Sequence, residues 1–434
     1  MTDAPRRANR VAGGVMQMGY ASEGLQRDFV RRILGVESFA GFLDQNWEAT
    51  PKYVPGACSM PAEILGHRDI ERVLAAGNRS AQGVPSIVEN QIAQPLPDGC
   101  DTACWLDLAA DAFARGATLL VPGLQRSSDR IGTLCRLFDN AFLSHGIPLA
   151  KAIFANAYLT PAATQGFGAH YDDHCVLVLQ ISGTKSWVVN APDHALPVNR
   201  CTSVVPDDAL GKPILEVTLQ SGDVLYIPRG FPHSARSTEQ TSLHLTLGMH
   251  TKPWSSILAP LANHAQEMRA SIRPIEPDRD PATVPLGDHI IRHLATVDPS
   301  GVIMGLISES LSSLPPLAGE RIETLTNAVL SQDTELARAS EVLVMLSNRG
   351  ERVALHHPGG KIELPQAAHD ALAFVADTDV FKVSDIPEGK AAFDKVELAK
   401  LLIRKGIVTI TRTDTQEIAV VRDSAEKKAE HDVV

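Results

Sequence analysis

Short apolar runs of β-type character fill the middle of the chain. Between about residues 151 and 250 they read KAIFANAYLT, CVLVLQIS, KSWVVN, DVLYIP and SLHLTLGMH, with Gly, Pro and Asn between them. Many short strands separated by turn signals are typical of an antiparallel sandwich or a jelly-roll barrel. We therefore predict a β-barrel over 151–250.

Helical spacing of apolar residues marks the chain on both sides of this barrel. A mixed, largely helical region over about 29–150 contains FVRRILGVESFAGFLDQNW and RIGTLCRLFDNAFLSHG. Residues 251–330 are helix-compatible, with Pro-rich breaks. Residues 331–421 contain the helix-like AAHDALAFVADTD and DKVELAKLLIRKG and then the β-type IVTITRT, which is the order of elements in a small winged-helix domain. We expect flexible tails at 1–28 and 422–434.

Length and composition predict a water-soluble protein of two or three domains. The chain has 434 residues, 44% of them hydrophobic and 21% charged. It contains no run of about 18 apolar residues that could span a bilayer, and its start lacks the apolar core of a secretory signal. We therefore expect a cytoplasmic location and no membrane partner.

The charge distribution argues against nucleic-acid binding. The formal net charge is -11, and residues 361–412 hold eight Lys or Arg and eight Asp or Glu. This balance provides no basic patch for the phosphate backbone. A structural or protein-binding role for the winged-helix region follows.

The six cysteines include no C-x-x-C pair. Such scattered spacing is unlike a disulfide framework or a structural zinc site. We expect buried free thiols.

The segment GAHYDDHCVLVLQISGTKSWVV carries the first candidate chemistry. His170 and Asp172 are two residues apart, so in extended chain both side chains project to the same side and can share one metal ion. An H-x-D pair is common by chance, and His67 and Asp69 form a second one that leads directly into the helix-like IERVLAAG.

A third candidate ligand distinguishes the pair of His170 and Asp172 from the pair of His67 and Asp69. His233 lies 63 residues after His170 in SGDVLYIPRGFPHSARS, where a β-run ends in a Pro/Gly corner. Two His and one Asp occupy one face of an octahedral ion and leave three positions open, which suits Fe(II) that must bind a bidentate co-substrate and then O₂. Fe(II) with two neutral imidazoles and one carboxylate has a net charge of +1, which attracts the 2-oxoglutarate dianion. Lys185, on the next β-run, is a candidate partner for its distal carboxylate, and an exposed strand lysine is the alternative.

These segments resemble the JmjC-type 2-oxoglutarate oxygenases, and within them the ribosomal oxygenases, a subgroup of protein histidyl and arginyl hydroxylases whose human members hydroxylate histidine in ribosomal proteins. The similarity is strongest in ANAYLTPAATQGFGAHYDDHCVLVLQISGTKSWVV and GDVLYIPRGFPHSARS, and FLDQNWEATPKYV is similar to the family's amino-terminal segment. The resemblance implies a mixed α+β fold: a double-stranded β-helix barrel of the jelly-roll or cupin type with helical flanks, a helical dimerisation region and a C-terminal winged-helix domain. The oxygenase domain would then span 29–250, the homodimer region 251–330 and the winged helix 331–421.

The resemblance also assigns roles to single residues. His170, Asp172 and His233 match the iron ligands, and Lys185 matches the base that pairs with the distal carboxylate of 2-oxoglutarate. The strand ANAYLT supplies Asn156 and Tyr158, which match polar positions of the co-substrate and substrate pocket. His174 and His244 lie in the same segments. His174, two residues after Asp172, is a candidate neighbour of the ligands, and His244, in the alternating SLHLTL, is a candidate inward position, but both are interpreted as structural histidines outside the ligand set.

The implied reaction is hydroxylation of a protein or peptide side chain, coupled to formation of succinate and CO₂, with Fe(II), 2-oxoglutarate and O₂ required. Histidine is the first candidate for the hydroxylated residue, because QGFGAHYDDH with Lys185 is closer to the histidine-hydroxylating relatives than to the bacterial arginine-hydroxylating ones, which tend to carry arginine at the Lys185 position. Two alternatives stay open. One is hydroxylation of a ribosomally made peptide in natural-product biosynthesis. The other, from a different class, is a non-enzymatic metal- or ligand-responsive regulator with a winged helix.

Overall fold

The computed structural model describes residues 10–11, 14–15, 18–19, 23–76, 83–96, 102–192, 196–198, 203–264, 291, 294–295, 298–316, 324–325, 330–339, 341–388 and 393–411. The chain divides into two compact units, one of residues 22–317 and one that combines 1–21 with 318–434. No helix among the described residues is both long and apolar enough to cross a membrane.

The unit of residues 22–317 contains two antiparallel sheets. Its strands, numbered along the whole chain, are β4 Lys52–Val54, β5 Ser86–Glu89, β6 Ile92–Pro95, β7 Thr118–Val121, β8 Phe154–Thr160, β9 His170–Tyr171, β10 Cys175–Ser182, β11 Lys185–Asn190, β12 Ser203–Val204, β13 Pro213–Leu219, β14 Val224–Ile227, β15 His233–Ser237 and β16 Ser242–Met249. One sheet has the order β4-β14-β10-β16-β8-β7-β5-β6, and the other has the order β12-β9-β15-β11-β13.

Apolar side chains of the two sheets form a shared core. Val176 and Val178 of the larger sheet and Trp187 and Val189 of the smaller sheet belong to one buried cluster. β10 is almost fully buried along its length and pairs on both sides, which explains its continuous apolar run. The predicted β-barrel is confirmed as a cupin-like arrangement of antiparallel sheets.

Helices surround this core. They are Glu23–Leu34, Phe39–Gln45, Pro61–Ile64, His67–Ala75, Thr102–Ala114, Asp129–Ser144, Ser255–His264 and Pro299–Ser313, with 3₁₀ turns at Leu124–Arg126 and Asp207–Ala209. Local capping starts several of them: the Ser38 hydroxyl accepts the Gly41 N–H at 3.0 Å. Phe42 packs edge-on against Tyr226 of β14 with ring centroids 5.0 Å apart, which fixes a helix to the larger sheet.

The second unit is also built from helices and antiparallel sheets. Its strands are β1 Arg10–Val11, β2 Gly14–Val15, β3 Met18–Gly19, β17 Glu335–Arg338, β18 Val344–Arg349, β19 Arg352–His357, β20 Gly360–Pro365, β21 Val380–Lys382 and β22 Val408–Ile410. Its helices are His369–Asp377 and Lys395–Arg404, with 3₁₀ turns at Gln366–Ala368 and Val383–Asp385. The sheets have the orders β1-β2, β20-β19-β18-β3 and β21-β17-β22. The two predicted helices and the final strand are present, whereas the strands from β17 to β20 were not predicted.

Two expectations differ from the structure. The predicted tail over 1–28 contains short strands, because β3 pairs with β18, and the first helix already begins at Glu23. The predicted tail over 422–434 lies outside the described residues.

Cys104 is disulfide-bonded, contrary to the expectation of free thiols, whereas Cys58, Cys135 and Cys175 are free and buried. Sequence spacing cannot exclude a pair that folding brings within bonding distance.

The turn at residues 183–184 passes the chain from the larger to the smaller sheet and thereby positions Lys185. Gly183 has φ +65°, and a Cβ there would lie 2.0 Å from the Thr241 carbonyl oxygen. Gly56 has a similar φ of +59°, but a Cβ there would meet nothing within 4 Å.

We therefore expect Gly183→Ala to lower the free energy of unfolding by at least about 3 kcal/mol, because backbone strain and a clash add up. Gly56→Ala should cost only the strain, about 1 kcal/mol. Urea unfolding followed by tryptophan fluorescence measures both, since Trp47, Trp105, Trp187 and Trp254 all lie in residues 22–317. Equal losses in the two variants would contradict this role of the turn.

Candidate active site

Two histidines face each other across neighbouring strands. His170 on β9 is the direct cross-strand partner of His233 on β15. Directly opposed residues of an antiparallel pair have Cβ atoms about 5 Å apart on one face of the sheet. The ring centroids of His170 and His233 lie 4.5 Å apart. The sheet register therefore brings together two imidazoles that are 63 residues apart in the sequence.

Asp172 completes the cluster from the bend between β9 and β10. Its carboxylate Oδ2 lies 3.8 Å from Nε2 of His233. Its carbonyl accepts the N–H of Gly230 at 2.9 Å, which ties the bend to the Pro/Gly corner before β15. The ligand atoms of His170, Asp172 and His233 all lie within 4.8 Å of one another.

Hydrogen bonds leave one nitrogen of each imidazole available for a metal. Nδ1 of His170 lies 2.8 Å from the Gly168 carbonyl, and Nδ1 of His233 lies 3.0 Å from the Phe231 carbonyl. A carbonyl can only accept, so each Nδ1 carries the proton and each Nε2 keeps its lone pair. Burial lowers the pKa of His233, and the neighbouring His170 lowers it further, so the ring is neutral at neutral pH. This donor set fits a divalent transition metal.

Lys185 lies inside the same cavity. It is 4% exposed, and its ammonium donates to the Thr160 hydroxyl at 3.1 Å. Thr160 in turn lies within 3.2 Å of the Thr118 hydroxyl, Oγ1 to Oγ1. Burial lowers the pKa of Lys185 to about 7. The alternative of an exposed strand lysine is therefore wrong.

These groups all line one cavity. Its volume is about 460 Å³, and its lining includes Thr118, Phe154, Asn156, Tyr158, His170, Asp172, His174, Val176, Val178, Lys185, Trp187, His233, His244 and Thr246. Asn156 and Tyr158 alternate with buried alanines on β8, so both predicted pocket residues line the cavity. Burial raises the pKa of the Tyr158 hydroxyl, as does the nearby charge of Asp172, so the phenol is neutral.

His244, interpreted from the sequence as a structural histidine, belongs to this wall. His244 is 3% exposed and stacks on Tyr158 with centroids 4.8 Å apart and planes 6° from parallel. Burial lowers its pKa, and the charge of Lys185 lowers it further. The inward position that the alternation in SLHLTL indicates agrees with this burial. His67, from the second H-x-D pair, instead starts the helix His67–Ala75 and contacts the Ser182 hydroxyl at 2.9 Å.

Comparison with known proteins identifies the class. Residues 138–257 match the family model of the JmjC domain. The structure resembles that of YcfD from Escherichia coli, with a TM-score of 0.54 and 18% identity over 86% of this chain and 98% of that chain. Residues 138–257 are therefore a JmjC domain, and the predicted resemblance to the JmjC-type 2-oxoglutarate oxygenases is confirmed.

In sequence the chain is similar to ribosomal oxygenases. Ribosomal oxygenase 1 of Gallus gallus is 26% identical over 92% of this chain and 75% of that protein. A protein of Dictyostelium discoideum named bifunctional lysine-specific demethylase and histidyl-hydroxylase NO66 is 39% identical over 36% of this chain and 30% of its own length. The NO66 protein of Drosophila persimilis is 43% identical over 50% of this chain and 31% of its own length. The chain thus matches less than a third of these NO66 proteins.

The buried amine predicts a specific pH dependence of stability. The pKa of Lys185 is about 7 in the folded protein and 10.5 in the unfolded chain, so the unfolded chain binds more protons between these values. Stability should therefore rise with pH from 7 towards 10.5 relative to Lys185→Met, by a difference on the order of 4 kcal/mol. Urea unfolding of metal-free wild type and variant at several pH values measures this. Parallel stability curves would show that the amine is not buried.

Proposed function

We propose that this protein is an Fe(II)- and 2-oxoglutarate-dependent hydroxylase of a protein or peptide side chain. The observation that carries this proposal is the combination, in one cavity, of a buried lysine with a two-His-one-carboxylate cluster whose Nε2 atoms carry no proton. His170, Asp172 and His233 would hold the iron. Its open positions would serve the co-substrate and O₂.

Bound there, iron supplies the redox chemistry that couples decarboxylation of 2-oxoglutarate to insertion of one oxygen atom into a C–H bond of the substrate. The protein's own residues bind and orient. Lys185 and Thr160 offer an ammonium and a hydroxyl to the distal carboxylate of 2-oxoglutarate, and the carboxylate favours the charged form of the amine. Asn156 and Tyr158 add polar groups along the path of the co-substrate.

The cavity wall limits access of water. Val176, Val178 and Trp187 present apolar surface beside the polar groups. Electrostatic attraction between Lys185 and a carboxylate is stronger in such surroundings than in water. The chain needs no side chain that takes up or releases a proton at the substrate carbon.

Histidine is our first candidate for the hydroxylated residue. The relatives named histidyl-hydroxylase are 37–43% identical to segments of this chain, and the structural neighbour YcfD is described as a ribosomal oxygenase. A YcfD structure also contains cobalt and 2-oxoglutarate. We infer a ribosomal protein or another peptide as the substrate class and a cytoplasmic location.

The first experiment measures succinate. The metal-free protein is loaded anaerobically with Fe(II) and 2-oxoglutarate and exposed to air with candidate histidine-containing peptides. His170→Ala should lose at least about 100-fold in succinate formation, because a metal ligand is removed. His67→Ala removes a histidine of the same H-x-D pattern outside the site and should match wild type.

A peptide that gains one oxygen atom, detected by mass spectrometry, would identify the substrate. If wild type forms no more succinate than His170→Ala, the catalytic proposal fails. DNA or ligand binding by the second unit would then favour the regulator.

We further propose that residues 251–330 form a homodimer interface and that residues 331–421 form a winged-helix-like unit. Support for the interface comes from exposed apolar side chains at the helix Ser255–His264: Trp254 is 80% exposed and Leu258 is 56% exposed. Support for the winged-helix assignment is the order of elements at 369–410, in which the helix His369–Asp377, strand β21, the helix Lys395–Arg404 and strand β22 follow one another.

Replacement of both Trp254 and Leu258 by Glu should convert a dimer to a monomer, because buried charge in an apolar interface is costly. Light scattering on the purified full-length protein measures the mass. Val380→Glu changes an apolar residue that is 53% exposed in the other unit and should leave the mass unchanged. A dimer that persists in the double variant would place the interface elsewhere.

A further inference from the structure

A second cluster of metal-binding groups lies beside the proposed iron site. It consists of Asp173, His174 and His250, whose ligand atoms all lie within 4.8 Å of one another. Cys175 at the start of β10 is the register partner of Met249 at the end of β16. The residues next to this pair, His174 and His250, are therefore brought together by the antiparallel sheet.

We propose that Asp173, His174 and His250 form a second divalent-metal site, suited to a transition ion such as Zn²⁺ and separate from the site of His170, Asp172 and His233. Two imidazoles and one carboxylate are ligands that zinc binds in proteins, with a fourth position left for water. This inference does not depend on the proposed catalytic activity.

The geometry of the cluster is that of a pre-arranged site. The rings of His174 and His250 have centroids 4.4 Å apart, close to the 4.5 Å between His170 and His233. The Asp173 carboxylate Oδ1 lies 3.2 Å from Nδ1 of His174. Adjacent ligands around a tetrahedral ion with bonds of about 2.0–2.1 Å are separated by roughly 3.3 Å.

The surroundings hold the two imidazoles in place and leave an approach open. The Phe154 ring contacts both of them, with centroid distances of 5.4 Å to His174 and 5.8 Å to His250. The side chains of Asp173 and His174 are 12% and 16% exposed. An ion can reach such a site, and its ligands need little reorganisation on binding.

One neighbouring cation competes with the ion. The ammonium of Lys151 lies 4.6 Å from the Phe154 ring centroid, and its positive charge acts on both Asp173 and His250. Lys151 itself is exposed. Its removal should strengthen metal binding at this cluster, whereas a purely hydrogen-bonded cluster without an ion gains nothing from that change.

The experiment counts bound Zn²⁺ per chain. Full-length protein is stripped with a chelator and titrated with Zn²⁺ by calorimetry and by equilibrium dialysis with elemental analysis. Wild type should bind two ions, because zinc also suits the first site. Asp173→Asn keeps the shape and the hydrogen bond but removes a good ligand, and it should bind one ion. His170→Ala should also bind one, at the second site.

The combination of Asp173→Asn with His170→Ala should bind none, and Lys151→Ala should lower the Kd of the second ion several-fold. His145→Ala removes an exposed imidazole elsewhere and should still bind two ions. Circular dichroism confirms that each variant is folded, and His250→Gln serves as a second ligand variant. Equal stoichiometry in wild type and Asp173→Asn, or a Kd of the second ion weaker than about 1 mM, would overturn the proposal.

Discussion

The pairing of β9 with β15 is the constraint on which the site depends. It sets His170 opposite His233, and β15 pairs on its other side with β11, where Val189 is the partner of His233. Lys185 lies four residues from Val189 on the same strand, so it points to the same face, roughly 13 Å along the strand. One hydrogen-bonded ladder thus fixes both the metal cluster and the cation at the other end of the cavity.

Most of the barrel could be predicted from the sequence because its strands are short, apolar and bounded by turn residues. The predicted runs correspond to β8, β10, β11, β14 and β16 within a few residues. β13 was missed because it lies at the edge of its sheet and is largely exposed, and β9 was missed because it has only two residues. In the second unit, the strands β17 to β20 fall outside the helix-helix-strand pattern on which the prediction was based.

The sequence indicated which residues come together in the candidate site better than it indicated how they are arranged there. His170 and Asp172 were expected to share one face of a strand, but Asp172 lies in the bend after β9 and reaches the cluster from there. The contacts of His244 with Tyr158 and of His174 with His250 depend on sheet register, which one sequence does not reveal. Resemblance supplied Asn156 and Tyr158. Lys185 was already a candidate from its place on the β-run after His170 and Asp172, and the structure shows that its side chain is buried and lines the cavity.

The shortness of β9 connects metal supply to the folding of the barrel wall. β9 has two residues, shares a single residue pair with β15 and is paired on its other side only with the two residues of β12, so few backbone hydrogen bonds hold it in place. Such a segment opens locally at low free-energy cost, and a ligand that binds only the closed form stabilises that form by mass action. An ion held between His170 and His233 would act as a cross-link between the two strands. In an iron-starved cell, newly made chains would then keep this wall partly open and accessible to proteases, and the amount of enzyme would follow the availability of its metal.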